Sequence, residues 1–252
     1  MPFTPSHIIA VLPFRRFSGK YLSMTGLIAG SVSPDFEFFL RVTLYGNISH
    51  TWLGFFVFDF PVAVLIGVVY HMIVKKAFIM HTPSVLYKRW GKYAAQNWFA
   101  YLKGHKLIFI LSCFLGILTH FLWDNLTHHP GYISDFHFDF SLNKILVFGK
   151  LMPLYDLFQI VSSLMGLVIL AIFIWKLDEW GDESPTSQKE KYVYWIWVFV
   201  FTLFIIGIRY AIGIPDEKPF GQFVVISISA FMQSLIILGL YHLNRRKIEK
   251  SY

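Results

Sequence analysis

Cysteine, charge and the common catalytic loops are scarce in this sequence, and each scarcity removes a class of function. Cys113 is the only cysteine among 252 residues, so the chain itself forms no disulfide and offers no thiolate metal cluster. Charged residues make up 15% of the chain and hydrophobic residues 56%, which is too apolar for a soluble domain of this length. No glycine-rich phosphate loop, no G-x-S-x-G elbow and no H-E-x-x-H pair is present.

What remains is a set of long apolar runs, and these predict an all-α integral membrane protein. Five segments are long enough to cross roughly 30 Å of hydrocarbon as helices. They cover about residues 53–74, 107–128, 154–175, 193–214 and 222–243. Residues 1–52 are interrupted by glycine, proline and acidic residues, so they predict a broken or re-entrant helical segment. We expect one polytopic domain over residues 1–252, with a basic tail at 244–252 and no cleaved signal peptide.

The uneven distribution of Lys and Arg between the loops predicts the orientation. Seven lie in residues 75–106, three in 176–192 and four in the C-terminal tail, whereas 129–153 and 215–221 hold two and one. The positive-inside rule places the richer segments, including the C-terminus, on the cytoplasmic side of the membrane. The net charge of +7 follows from these loops, so we expect membrane lipids as partners and no nucleic acid.

His120, Asp124 and His128 recur at intervals of four residues within an apolar run. On a helix these three side chains share one face. Ionisable groups are costly in lipid unless they are used, so the pattern indicates a functional site. Imidazole and carboxylate are ligands suited to zinc and similar divalent cations. The predicted orientation places this end of the helix, together with His50 at the start of the preceding helix, at the outer face of the membrane.

Three further polar motifs extend the candidate ligand set: Thr4-PSH, Ser33-PDFE and Ser49-HT. The six candidate metal ligands are then His7, Asp35, His50, His120, Asp124 and His128. Such a set can hold one or two ions with an aspartate as the bridge. Two ions about 3.5–4 Å apart activate water and stabilise the attacking and leaving oxygens at phosphorus.

The catalytic candidates among these motifs are Asp35, Glu37 and Asp124, and His129 is an alternative to His128 as a ligand. Simpler interpretations stay open: a surface His7, helix-capping roles for Asp35 and His50, a hydrogen-bonded structural set on the His120 helix, and a solvated Glu37. Asp59 and Arg209 can pair inside the bundle. Histidines without a partner pattern are interpreted as peripheral: His71, His81, His105, His137 and His242.

Together the opening MPFTPSH, Ser33-PDFE, Ser49-HT, Thr119-HFLWDNLTHHPG and Pro153-LYDLFQ resemble an uncharacterised bacterial multi-pass membrane family of unknown function. That family is more distantly similar to membrane-bound metal-dependent hydrolases and to zinc-dependent phospholipase C. The ligand order of those enzymes implies the same six residues, with His128 or His129 as the last.

The resemblance fails at two places. This chain has Met1 where the soluble enzymes use an N-terminal tryptophan amine, and it has Tyr155 and Gln159 where they place a late His-x-x-x-acid pair. A full three-metal centre is therefore not expected. Tyr155 and Gln159 can donate hydrogen bonds to a bound phosphate or water, and packing between helices is an equally good interpretation of both.

We therefore expect a membrane-embedded hydrolase that uses one or two divalent cations, in the first instance zinc, against a lipid or lipid-linked phosphoester. The alternatives are a metal-ion or proton transporter or channel, in which the same residues line a pathway, and a membrane protein with a structural metal site. The sequence leaves the substrate, the metal and the oligomeric state open.

Overall fold

A computed structural model describes residues 4–129, 139–147, 149–181 and 183–249 of the chain. It confirms the predicted class, because the described residues are overwhelmingly helical and include five helices long and apolar enough to cross a membrane. We call these helices spans 1 to 5. They are Trp52–His81, Lys106–Thr127, Leu154–Trp175, Gln188–Ile212 and Pro219–Arg245. The helix of span 5 continues to Glu249.

Three spans extend several residues beyond their predicted limits: the helix of span 5 runs into the predicted basic tail, and spans 1 and 4 are longer for local reasons. Span 1 continues past the lysine pair at residues 75 and 76 to His81, since the next helix-breaking residue is Pro83. Span 1 also contains two π-helical turns, Phe55–Asp59 and Tyr70–Val74. Span 4 begins at a polar capping box, in which Ser187 and Glu190 satisfy each other's backbone N–H groups. Hydropathy alone does not detect such a start.

The N-terminal segment is a series of short helices, as the interruptions in its sequence predict. The series comprises the 3₁₀ turn Thr4–His7, the α-helix Ile8–Val11, the 3₁₀ helix Leu12–Phe17, the α-helix Met24–Val32, the 3₁₀ turn Ser33–Asp35 and the α-helix Phe36–Arg41. A proline is the second residue of each of the three 3₁₀ elements. Proline has no N–H group to donate to an α-helical hydrogen bond, and the chain changes helix type at these points. The preceding residues Leu12 and Ser33 keep helical backbone angles.

Shorter elements connect the spans. They are the helices Ser84–Trp90 and Trp98–Gly104, the 3₁₀ turns Gly91–Tyr93 and Asp139–Leu142, and the strands β1 (Lys144–Val147) and β2 (Lys150–Pro153). The two strands form an antiparallel hairpin in which Lys144 lies opposite Pro153.

Contacts divide the chain into two compact units. The first consists of Met1–Glu37, Gly46–Gly67 and Leu102–Phe173, and the second of Phe38–Tyr45, Val68–Tyr101 and Ile174–Tyr252. In the second unit the helices of spans 4 and 5 pack around Tyr194, Val198 and Leu238. Arg209 belongs to this unit and donates hydrogen bonds to the backbone carbonyls of Val42 and Gly213.

In the first unit the Met24–Val32 helix packs closely along span 2. The approach depends on glycine, since a Cβ atom at Gly26 would lie 2.7 Å from the carbonyl oxygen of Phe109. A Cβ at Gly30 would overlap the carbonyl of Cys113, and one at Gly116 would overlap the carbonyl of Leu27. The two backbones are therefore fixed at a distance that no larger residue permits.

We expect Gly30→Ala to lower the free energy of unfolding by about 1–3 kcal/mol, because the added methyl meets backbone atoms that cannot move aside. Thermal unfolding of the full chain in detergent micelles would measure the change. Gly207→Ala is the matched control, since Gly207 lies in the helix of span 4 and no atom lies within 4 Å of the position that an added methyl would occupy. We expect it to be neutral or slightly stabilising. Equal unfolding midpoints for the two variants would show that the contact between the Met24–Val32 helix and span 2 does not require glycine at position 30.

Candidate metal centre

Four side-chain atoms from three separate segments meet inside the first unit. The Nε2 atoms of His50 and His120 are 3.2 Å apart, and they lie 3.5 and 3.3 Å from Asp124 Oδ2. Asp35 Oδ1 lies 3.7 Å from the His50 Nε2 atom and 3.8 Å from that of His120. All four residues are buried. We call this set the four-atom group.

Three atoms of the four-atom group, those of His50, His120 and Asp124, lie within 4.8 Å of one another, as the ligands of one metal ion do. Zinc bonds nitrogen at about 2.0–2.1 Å, and in a tetrahedron this length corresponds to ligand atoms about 3.3 Å apart. The five separations that involve a histidine ring, 3.2–3.8 Å, lie close to that value. Burial also raises the pKa of the Asp35 carboxyl above its usual value, and a bound divalent cation would instead favour the carboxylate. The donor set fits a divalent cation such as zinc.

His120 is oriented by the backbone of the neighbouring helix. Its Nδ1 atom lies 2.8 Å from the carbonyl oxygen of Ser31, and a carbonyl can only accept, so the proton is on Nδ1. In the neutral ring the Nε2 atom then presents a lone pair to His50 and Asp124. Histidines that bind metals use this arrangement, in which the second ring nitrogen donates to a carbonyl or carboxylate.

His50 occupies a strained backbone conformation, with φ at +61°. Left-handed geometry is unfavourable for a residue with a Cβ atom and persists only where surrounding contacts enforce it. Its Nδ1 atom lies 2.9 Å from the Ser49 hydroxyl. Residue 50 is therefore held in place by the loop that precedes it, and such strain concentrates at functional sites.

Glu37 fixes the loop that carries His50. Its carboxylate accepts hydrogen bonds from the backbone N–H groups of Asn47, Ile48 and Ser49, at 3.0, 3.0 and 2.7 Å. Burial would raise the pKa of Glu37, but these three donors outweigh it and hold the pKa at about 2. Both carboxylate oxygens are engaged in these bonds, so the contacts favour a positioning role for Glu37 over the predicted catalytic role.

His7 and the second oxygen of Asp124 lie beside the four-atom group. The His7 ring stacks on His120 with ring centres 3.9 Å apart, and its Nε2 lies 3.4 Å from Asp124 Oδ1. Neither His7 nitrogen nor Asp124 Oδ1 has a hydrogen-bond partner among the described residues, although all are buried. Burial, followed by the neighbouring His120, lowers the pKa of His7 well below its usual value, which favours the neutral, ligating form.

The N-terminal turn is held in position from two sides. The Thr4 hydroxyl donates a short hydrogen bond to Asp35 Oδ2, the oxygen that is not part of the four-atom group. On the other side Ser6 packs directly against Gly166 of span 3, where a Cβ atom would overlap it. These contacts carry His7, which lies next to Ser6 in the chain, into the centre.

His128 lies at the edge of the centre and contacts it through Asp124. Its Nδ1 atom is 3.5 Å from Asp124 Oδ1, and its Nε2 atom is 3.3 Å from the side-chain nitrogen of Gln159. Burial lowers the pKa of His128 to about 4. Gln159 therefore orients His128. His129 is exposed, and its ring lies 5.7 Å from that of Tyr155.

The structure thus brings together five of the six predicted ligands, with the sixth in contact with one of them. Sequence reasoning missed Thr4 as a partner of Asp35, although the Thr4-PSH motif contains it. It also missed the carbonyl of Ser31, for which no sequence signal exists because any residue has a carbonyl. Asp59, fully buried in the π-turn of span 1, has no hydrogen-bond partner among the described residues.

Of the histidines interpreted as peripheral, three lie in the second unit and one precedes span 2. The three are His71, His81 and His242, and His105 is the residue before the first turn of span 2. His137 lies outside the described residues.

Comparison with known proteins identifies a family without supplying a reaction. A family model described as a domain of unknown function (DUF4184) matches residues 1–240. Comparisons with curated proteins and with solved structures gave no match.

We expect Glu37→Gln to lower the free energy of unfolding by about 1.5–3 kcal/mol, because a neutral amide forms weaker bonds to the three loop N–H groups. Thermal unfolding in detergent would report the loss, and amide hydrogen exchange would show faster exchange at residues 47–49. Glu217→Gln, at an exposed carboxylate outside the spans, serves as the control and should change neither measurement. Unchanged amide hydrogen exchange at residues 47–49 in the Glu37 variant would contradict the positioning role of Glu37.

Proposed function

The chain belongs to the DUF4184 family, and from the geometry of its centre we propose that it is a membrane-embedded, metal-dependent hydrolase of a lipid or lipid-linked phosphoester. One observation carries the proposal: buried side-chain atoms that can ligate a metal remain after the ligands of one cation have been assigned. The four-atom group accounts for one cation, and His7 with Asp124 Oδ1 remains beside it. A purely structural site needs only a closed sphere, whereas catalysis needs an open position for water.

The ligand assignment follows from these contacts. His50, His120, Asp35 and Asp124 would hold one zinc ion, and His7 with the other oxygen of Asp124 would hold a second. When bound, such a pair of cations lowers the pKa of water and stabilises charge on the oxygens around phosphorus. Asp124 is then the residue that joins the two positions.

The protein's own residues orient the ligands and keep bulk water out. Ser31 and Thr4 hold His120 and Asp35 through hydrogen bonds, while Glu37 holds the loop of His50. Because the ligands are buried, electrostatic interactions within the centre are stronger than they would be in water. This arrangement presents lone pairs that need little reorganisation when a substrate arrives.

The surroundings of His50 favour a lipidic substrate. Trp52, Leu53 and Phe56 follow within six residues of His50 and expose 60%, 72% and 60% of their surfaces. Large apolar side chains at the start of a membrane span suit contact with acyl or isoprenoid chains. The distribution of Lys and Arg supports a location at the outer face of a bacterial inner membrane, with the C-terminus in the cytoplasm.

We expect protein purified without added metal to contain about one to two zinc ions per chain, and His120→Ala to lose them. The alanine removes a ligand of the first cation, and it also removes the ring on which His7 stacks, so His7 loses its support at the second position. Elemental analysis of both proteins at equal concentration would measure the loss. His105→Ala, before the opposite end of the same helix, should retain the metal. A parent protein without stoichiometric metal would refute the centre.

We expect the purified protein to hydrolyse phosphoesters among phospholipids and polyprenyl phosphates presented in mixed micelles, and Asp124→Asn to reduce kcat/KM by about a thousandfold or more. A chelator should abolish the activity and zinc should restore it, since the reaction depends on the cations. Activity that survives in the Asp124 variant would point to a contaminant. Metal or proton flux in proteoliposomes, without hydrolysis, would favour the transporter alternative.

A further inference from the structure

A cavity with charged residues at one side lies in the second unit, where the helices of spans 4 and 5 come together. Its volume is about 500 Å³. Lys189 and Glu190 from the first turn of span 4 line it, together with Arg245 at the end of span 5 and the imidazoles of His81 and His242. None of these residues takes part in the metal centre.

The charge of this cavity favours an anion. Lys189 and Arg245 contribute two cationic groups to its wall, and Glu190 is the single carboxylate among the lining residues. The Oε2 atom of Glu190 accepts hydrogen bonds from the backbone nitrogen and the hydroxyl of Ser187, at 2.9 and 2.8 Å, and the carboxylate also interacts electrostatically with Arg245. The lining therefore has a net positive charge even with Glu190 ionised.

A buried donor in the same wall lacks an acceptor. Tyr194 lines the cavity, is 3% exposed and stacks on His81 with ring centres 4.4 Å apart. Its hydroxyl has no hydrogen-bond partner among the described residues. A buried hydroxyl without a partner costs free energy, and an anionic oxygen in the cavity would supply the missing acceptor.

The remaining walls are apolar and continue along the spans. Trp197, Phe201 and Leu238 line the cavity, and Trp197 exposes 49% of its surface. Helices of this length and hydropathy lie alongside acyl chains. Apolar walls do not stabilise a soluble anion. A phospholipid, in contrast, can place its phosphate against the cations and an acyl chain along the aromatic residues of the cavity.

From these observations we propose that the cavity is a binding site for an anionic phospholipid, such as phosphatidylglycerol. Its phosphate contacts Lys189, Arg245 and the Tyr194 hydroxyl, and one acyl chain lies against Trp197 and Phe201. Basic pockets between membrane helices recognise lipid headgroups in this manner. The site is independent of the metal centre and of the reaction proposed for it.

Native mass spectrometry and thermal unfolding of the full chain in detergent test the site. Added phosphatidylglycerol should remain bound and raise the unfolding temperature, whereas phosphatidylcholine should do neither. Lys189→Gln and Arg245→Gln should each weaken retention by about fivefold. Lys176→Gln, an exposed cation from the same basic segment that does not line the cavity, should retain the lipid as the parent does.

Tyr194→Phe separates binding from folding. Since the hydroxyl is unpartnered in the lipid-free protein among the described residues, its removal should leave the lipid-free unfolding temperature unchanged while reducing the shift produced by phosphatidylglycerol. Trp197→Ala should also reduce this shift, because it removes a contact with the acyl chain of the lipid. Equal effects of the two lipids, or full protection by inorganic phosphate alone at the same phosphate concentration, would overturn the proposal. An unchanged lipid response in the Tyr194 variant would also contradict it.

Discussion

The hydrogen bond between His120 and the carbonyl of Ser31 connects the packing of the first unit to its chemistry. It forms because glycines let the Met24–Val32 helix lie directly against span 2. The carbonyl then determines the ring nitrogen that carries the proton, and so the lone pair that is presented to the centre. A change in helix separation of a few tenths of an ångström would be transmitted directly to a proposed metal ligand.

The same centre depends on strain that other contacts offset. His50 adopts a left-handed backbone conformation, and the carboxylate of Glu37 stabilises the preceding turn through three charge-assisted hydrogen bonds. The loop is thus held in place by the protein's own groups. Preorganisation of this kind is what a site needs when charge develops in a buried environment.

The two units use buried polar groups differently. In the first unit, imidazole nitrogens and carboxylate oxygens converge on a volume the size of a coordination sphere, which suits a small cation. In the second, cations and an unpartnered hydroxyl line a much larger cavity with apolar walls, which suits a bulky amphipathic anion. The ligand chemistry of each unit therefore follows from its residue types, which are imidazole and carboxylate in the first and ammonium, guanidinium and phenol groups in the second.

Hydropathy and helical periodicity determined the class, the five spans and the shared face of His120 and Asp124, because these properties depend only on local sequence. The polar motifs also identified His7, Asp35 and His50 as candidates, since polar residues in apolar surroundings need partners. Tertiary structure alone decided that these residues meet, that His128 contacts Asp124 from the edge, and that Glu37 holds a loop. Each of these outcomes depends on helix separation and on backbone carbonyl and N–H groups, which every residue carries and no sequence pattern distinguishes.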